Sequence, residues 1–167
     1  MSARMPAITL HQPWASLLVY GPKVHETRSW RPPSELIGER FLIHAAMRRP
    51  HAEEWSDELV RVLEKADVPM PLGSAVGTAR LVGFQRIDDR PAKDIDGNRV
   101  PRDWQDRACG DWRTGRFAWR FVDPRPLDRP VRMRGSRRIW YANFNLTPEP
   151  GLFHGLDCRC EACGSKP

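Results

Sequence analysis

Cysteine is scarce in this chain: 167 residues hold four, and three of them crowd between Cys158 and Cys163. Paired cysteines spread along a small secreted domain would read as a disulfide framework; this distribution does not. Long apolar runs are missing as well. None approaches the ~20 residues needed to cross a bilayer, so no membrane partner is expected. The opening residues lead into a short apolar stretch interrupted by His11, Gln12 and Pro13, a pattern unlike a signal peptide. Internal repeats and low-complexity tracts are absent too. The cytoplasm is the expected compartment.

What remains is ordinary globular composition, with 40% hydrophobic and 29% charged residues. A chain of this length suits one domain around one core. Lys and Arg total 27 against 21 for Asp and Glu, a net charge of +6, and the pI is about 9.6. That surplus favours an anionic partner and equally suits a well-solvated basic surface.

Short elements follow one another along the chain. Ala7 to Leu10 reads as a strand. A helix opens at Gln12-Pro13-Trp14, proline being tolerated where the amide has no partner, and stops at Gly21-Pro22. His25 to Trp30 and Arg40 to His44 read as strands. Ala52 to Ala66 carries Trp55, Leu59, Val62, Leu63 and Ala66 at helical spacing. Ser74 to Ile87 reads as a long strand with bulges or bends at Gly77 and Gly83. Asp88 to Thr114 is a polar excursion with a turn at Asp96-Gly97-Asn98. Phe117 to Val122, Val131 to Met133 and Ile139 to Phe144 complete the strands, with Pro124 to Pro130 as a connection. About six short strands with two early helices predict an α+β fold, a small mixed β-barrel without exposed edges. The domain is expected over 1–146, with a cysteine-containing tail at 147–167.

Several clusters could carry chemistry. Gly21 suits a helix end in the left-handed region. Lys23 then sits at the mouth of the turn as a point charge for phosphate or a polarised carbonyl. Glu26 and Arg28 lie two apart on a strand and share a face. Arg28 can fork onto a phosphate or base edge while Glu26 orients it. Equally, the three can form an ion-pair cluster that only fixes the fold. Gln12, Trp14 and Trp30 offer an amide and stacking surfaces for a base, or serve the core. His44, ending an apolar strand, is either a cleft acid–base group or a hydrogen-bonded structural histidine. Arg132, Arg134, Arg137 and Arg138, near Trp140 and Tyr141, suit backbone contacts to a single strand or a solvated face. In the tail, Cys158, Cys160 and Cys163, with His154 or Cys109 as fourth ligand, have spacing for a tetrahedral zinc site; free thiols are the alternative. No other cofactor is expected.

Leu10-His11-Gln12-Pro13-Trp14-Ala15, followed by Gly21-Pro22-Lys23-Val24-His25-Glu26-Thr27-Arg28, resembles the ASCH family (activating signal cointegrator homology). The pattern is Gln-Pro-Trp-Ala at a helix start, then Gly-x-Lys-x-x-Glu-x-Arg running into a strand. Leu42-Ile43-His44-Ala45-Ala46, Gly73 to Leu81, Phe117-Ala118-Trp119, Arg134-Gly135 and Ile139-Trp140 agree in order, so the resemblance spans roughly residues 7 to 142. It implies a PUA-like barrel with a cleft for RNA or a nucleotide. Small members of the superfamily that hydrolyse acetylated cytidine share the Gly-x-Lys turn, but carry threonine where this chain has Glu26. An enzyme here would use Lys23 and Glu26, as an amidohydrolase on modified nucleosides or as a ribonuclease. Binding and catalysis, and the oligomeric state, stay open on the sequence.

Overall fold

The computed structural model describes residues 4–48, 51–88 and 103–143. Six strands form one mixed sheet: β1 (Arg4–Leu10), β2 (His25–Arg28), β3 (Arg40–Ala45), β4 (Ser74–Arg86), β5 (Phe117–Arg132) and β6 (Ile139–Asn143). Their order is β2-β5-β4-β3-β1-β6. β1 runs parallel to β3, and every other pairing is antiparallel. The α+β class and the two early helices are present; closure of the predicted barrel is not. The ladder ends at β2 and β6, and among the described residues no pairing joins them. Both edges are short, four and five residues, which limits the unpaired backbone they offer.

Helix α1 (Trp14–Tyr20) lies against the sheet, burying Leu18 and Val19 with Val76, Ala79 and Leu81. Gly77 permits this approach, because a Cβ there would stand 2.4 Å from Val19 Cγ1. The helix begins one residue later than expected, with Pro13 as its cap behind a cis Gln12–Pro13 bond. It ends at Gly21 in extended backbone (φ −116°), not in the left-handed region. Glycine serves there by size: a Cβ would come within 3.0 Å of Leu17 Cδ2.

The second helix is shorter than its apolar periodicity suggests. Ala52–Glu54 forms a separate 3-10 turn, and α2 (Asp57–Ala66) starts only where the Ser56 hydroxyl accepts the Leu59 N–H. A third helix, α3 (Trp104–Ala108), lies inside the polar excursion and was not expected. The strand and the proline-rich connection after it are one 16-residue strand, β5. Beyond Phe121, whose N–H still donates to Val24 O, the pairing among the described residues is with β4 alone, so proline's missing N–H need not interrupt a ladder on both sides. The expected irregularities at Gly77 and Gly83 are both register shifts against β5.

No helix among the described residues is long and apolar enough to cross a membrane. The Asp96-Gly97-Asn98 turn, the division at 146/147 and the tail ligands His154, Cys158, Cys160 and Cys163 lie outside the described residues.

Candidate functional site

The parallel pairing of β1 with β3 sets Thr9 beside His44, and the antiparallel pairing of β1 with β6 brings Trp140 next to them. Trp140 Nε1 donates to Thr9 Oγ1 at 3.1 Å, and its ring meets His44 edge-on at 5.8 Å. The segment from Met133 to Arg138, between β5 and β6, crosses over this group. Met133 N–H donates to Gly73 O, and His44 Nε2–H donates to Met133 O at 3.0 Å. Gly135 fits closely: a Cβ there would stand 2.4 Å from His44 Nδ1 and 2.7 Å from Thr9 Oγ1.

The strap bounds an open cleft of about 710 Å³. Arg134, Arg137 and Arg138 stand exposed along it, and Arg28 reaches in from β2. Arg138 holds φ at +58°, turning the chain into β6. Glu26 is the single carboxylate among the described residues of the lining. Trp14, half-buried at the start of α1, forms part of the wall. Four guanidiniums against one carboxylate among the described lining residues give the cleft an excess of positive charge, and the Trp14 indole forms part of its wall.

Behind the cleft lies a chain of charges. Lys23 is buried, and its ammonium donates to His25 O at 2.6 Å and Cys109 O at 2.8 Å. Its third partner is Glu26 Oε2 at 3.2 Å. Two of its three protons are donated to backbone carbonyls and the charge is paired with Glu26, so the ammonium is held within the protein. Glu26 Oε1 faces Arg28 Nε at 3.0 Å, an ion pair off the hydrogen-bonding line, and Arg28 Nη2 donates to Thr9 O at 3.3 Å. Lys23 holds Glu26, and Glu26 aims Arg28 at the cleft. The lysine itself does not line the cleft; it borders a second hollow of about 310 Å³, which shares Trp14 and Glu26 with the first.

The other expected residues divide clearly. His44 lines the cleft but is 1% exposed, and its Nδ1 has no hydrogen-bond partner among the described residues. Burial lowers its pKa, partly offset by the bond to Met133, so the ring is neutral with the proton on Nε2. Gln12 is fully buried; its amide donates to Ser16 Oγ and Pro71 O and accepts from Ser16 N–H, leaving nothing to read a base. Trp30 packs edge-on against the buried Trp119 at 4.6 Å, and its carbonyl accepts the Trp119 indole N–H. Trp30 belongs to the core. Cys109 is buried with a thiol pushed up to about 11, chiefly by burial, and no cluster of metal-ligating side chains occurs among the described residues.

Two features were not anticipated. Thr9 and Gly135 complete the cleft floor; of these only the Arg-Gly pair carried a sequence signal. Asp106 of α3 accepts from Val24 N–H, His25 N–H and His25 Nδ1, pinning the turn after Lys23. Burial pushes the Asp106 carboxyl up, but those hydrogen bonds outweigh it and hold its pKa below the usual range.

Residues 8–99, more than half of the chain, match the ASCH domain profile. The chain belongs to the ASCH domain family. The profile covers the turn with Lys23, Glu26 and Arg28 and the strand with His44, but ends before β5 and the arginine strap, short of the reach to 142 that the motifs suggested. Activating signal cointegrator 1 of Mus musculus is 42% identical over 66 residues, 38% of this chain and 11% of that protein. The ASCH chain thus spans only about a tenth of that relative. The crystal structure of an ASCH protein from Zymomonas mobilis is 20% identical with a TM-score of 0.43, over 77% of this chain and 73% of that one. A tyrosine-to-phenylalanine mutant of the same protein gives 18% and 0.42, over 78% and 77%.

Proposed function

We propose that this ASCH domain binds RNA or a nucleotide in the cleft under the arginine strap, within a PUA-like fold. One observation carries the reading: Arg28, Arg134, Arg137 and Arg138 converge on a single cleft that one half-buried indole, Trp14, also walls. Guanidinium groups suit phosphate oxygens, and an unpaired base on an aromatic face contributes about 1–3 kcal/mol. Lys23 and Glu26 act in this reading as positioning residues for Arg28, since the ammonium is buried, bonded to two carbonyls and paired with Glu26, away from the cleft lining.

The reading is tested by titrating the protein with short single-stranded RNA over a range of salt. Affinity should fall with added salt, each phosphate contact contributing about −0.7 to the log–log slope. Arg134→Ala should reduce that slope by about one contact. An unchanged slope in Arg134→Ala, or binding indifferent to salt, counts against the cleft. The catalytic readings are tested in the same samples. If acetylated cytidine or the RNA turns over, and the turnover vanishes in Glu26→Gln, an amidohydrolase or a ribonuclease replaces simple binding.

A further inference from the structure

A third hollow adjoins the cleft. It measures about 260 Å³ and is walled by Trp14 and Trp55, with Arg48, His51 and Glu54 at its edge. His11 and Trp14 line both this hollow and the cleft, so the two meet along the start of α1. Trp55, just before α2, is half-buried: it packs against the buried cluster that holds Leu17 and Leu59 and also lines the hollow. The charge differs from that of the cleft. Among the described lining residues the hollow has one arginine and one carboxylate, against four arginines and one carboxylate next door. The stronger pull on phosphate is therefore at the cleft. What the hollow offers is two indole surfaces, a cation and an acceptor, in a volume just under the ~300–1,000 Å³ usual for whole small-molecule ligands.

We propose that this hollow is a second base subsite. It takes the base next in line to the nucleotide whose phosphate sits on the strap. This rests on the cleft reading above. The base stacks on Trp55, Glu54 accepts from an exocyclic amine, and Arg48 reaches the connecting phosphate. The preferred ligand is then a single-stranded oligonucleotide, and a free nucleotide fills only half of the site.

The experiment compares adenosine monophosphate with the trinucleotide ApApA by calorimetric titration at low salt. The trinucleotide should bind at least tenfold more tightly. Trp55→Ala should weaken ApApA about tenfold, within what one stacked base contributes, and leave the monophosphate within twofold. Trp55→Phe should restore most of the loss. Arg48→Ala, an exposed position that does not endanger folding, should weaken the trinucleotide alone. Equal affinity of the two ligands, or ApApA binding untouched in both Trp55→Ala and Arg48→Ala, overturns the subsite while leaving the cleft intact. If neither ligand binds, the cleft reading falls and the subsite with it.

Discussion

At the scale of single residues, the lysine after the first helix is the most consequential group, and its role is support. A buried ammonium with three internal partners cannot be removed without leaving Glu26 short of a counter-charge and two carbonyls without a donor. Lys23→Ala should destabilise the fold by about 3–5 kcal/mol, the range for breaking one side of a buried pair, as urea unfolding would measure. A free, solvated lysine would cost almost nothing. Residue spacing correctly grouped Lys23, Glu26 and Arg28. It did not reveal the burial, because one sealing carbonyl belongs to Cys109, far along the chain. His44 supplies a pH test. Its pKa is lowered by burial, so the unfolded chain binds the proton more readily. The corresponding stability is present above the ordinary histidine value near 6.5 and is lost as pH falls through the depressed folded value. Between pH 7.5 and 5.5 the wild type should lose more stability than His44→Gln. Parallel losses would mean that the ring is not desolvated as the geometry requires.

At the scale of elements, local pattern was readable where an element answers to its own sequence. The helix stop at Gly21, the apolar strand β3 and the irregularities at Gly77 and Gly83 all follow from local chemistry. Reading failed where a neighbour decides. The prolines of β5 look like a connection until β4 supplies the pairing and the far side is left open. Helix α3, five residues long, is held by Asp106 bonding to the β2 turn rather than by its own periodicity. Asp106→Ala should therefore cost about 2–4 kcal/mol, since it strips charged hydrogen bonds from two part-buried amides and a histidine. Amide exchange at Val24 and His25 would rise with it; unchanged protection there would show that α3 is held in another way. Gly77 joins α1 to β4 by absence of a side chain. Gly77→Ala should destabilise by about 1–3 kcal/mol through overpacking. Val19→Ala in the same chain should recover part of the loss. Strict additivity of the two changes would contradict direct contact.

At the scale of the whole molecule, a modest net charge becomes a directed field because the fold gathers it. The +6 surplus is spread through the sequence, yet three arginines of one strap and one from β2 meet at a single opening. Three of the four lie beyond residues 8–99, the part of the chain that the family profile matches. Composition suited an anionic partner and a solvated basic surface equally; the crossing of the strap over β1 and β3 is what gathers the arginines at one cleft. The most direct test is binding of a short single-stranded RNA to the wild type and to an Arg134→Ala, Arg137→Ala double variant across a salt series. The wild type should bind with a log–log salt slope of about −2 to −3, and the variant should lose about 1.4 of that slope and most of its low-salt affinity. Equal slopes and equal affinities in the two proteins would contradict a nucleic-acid cleft at the arginine strap.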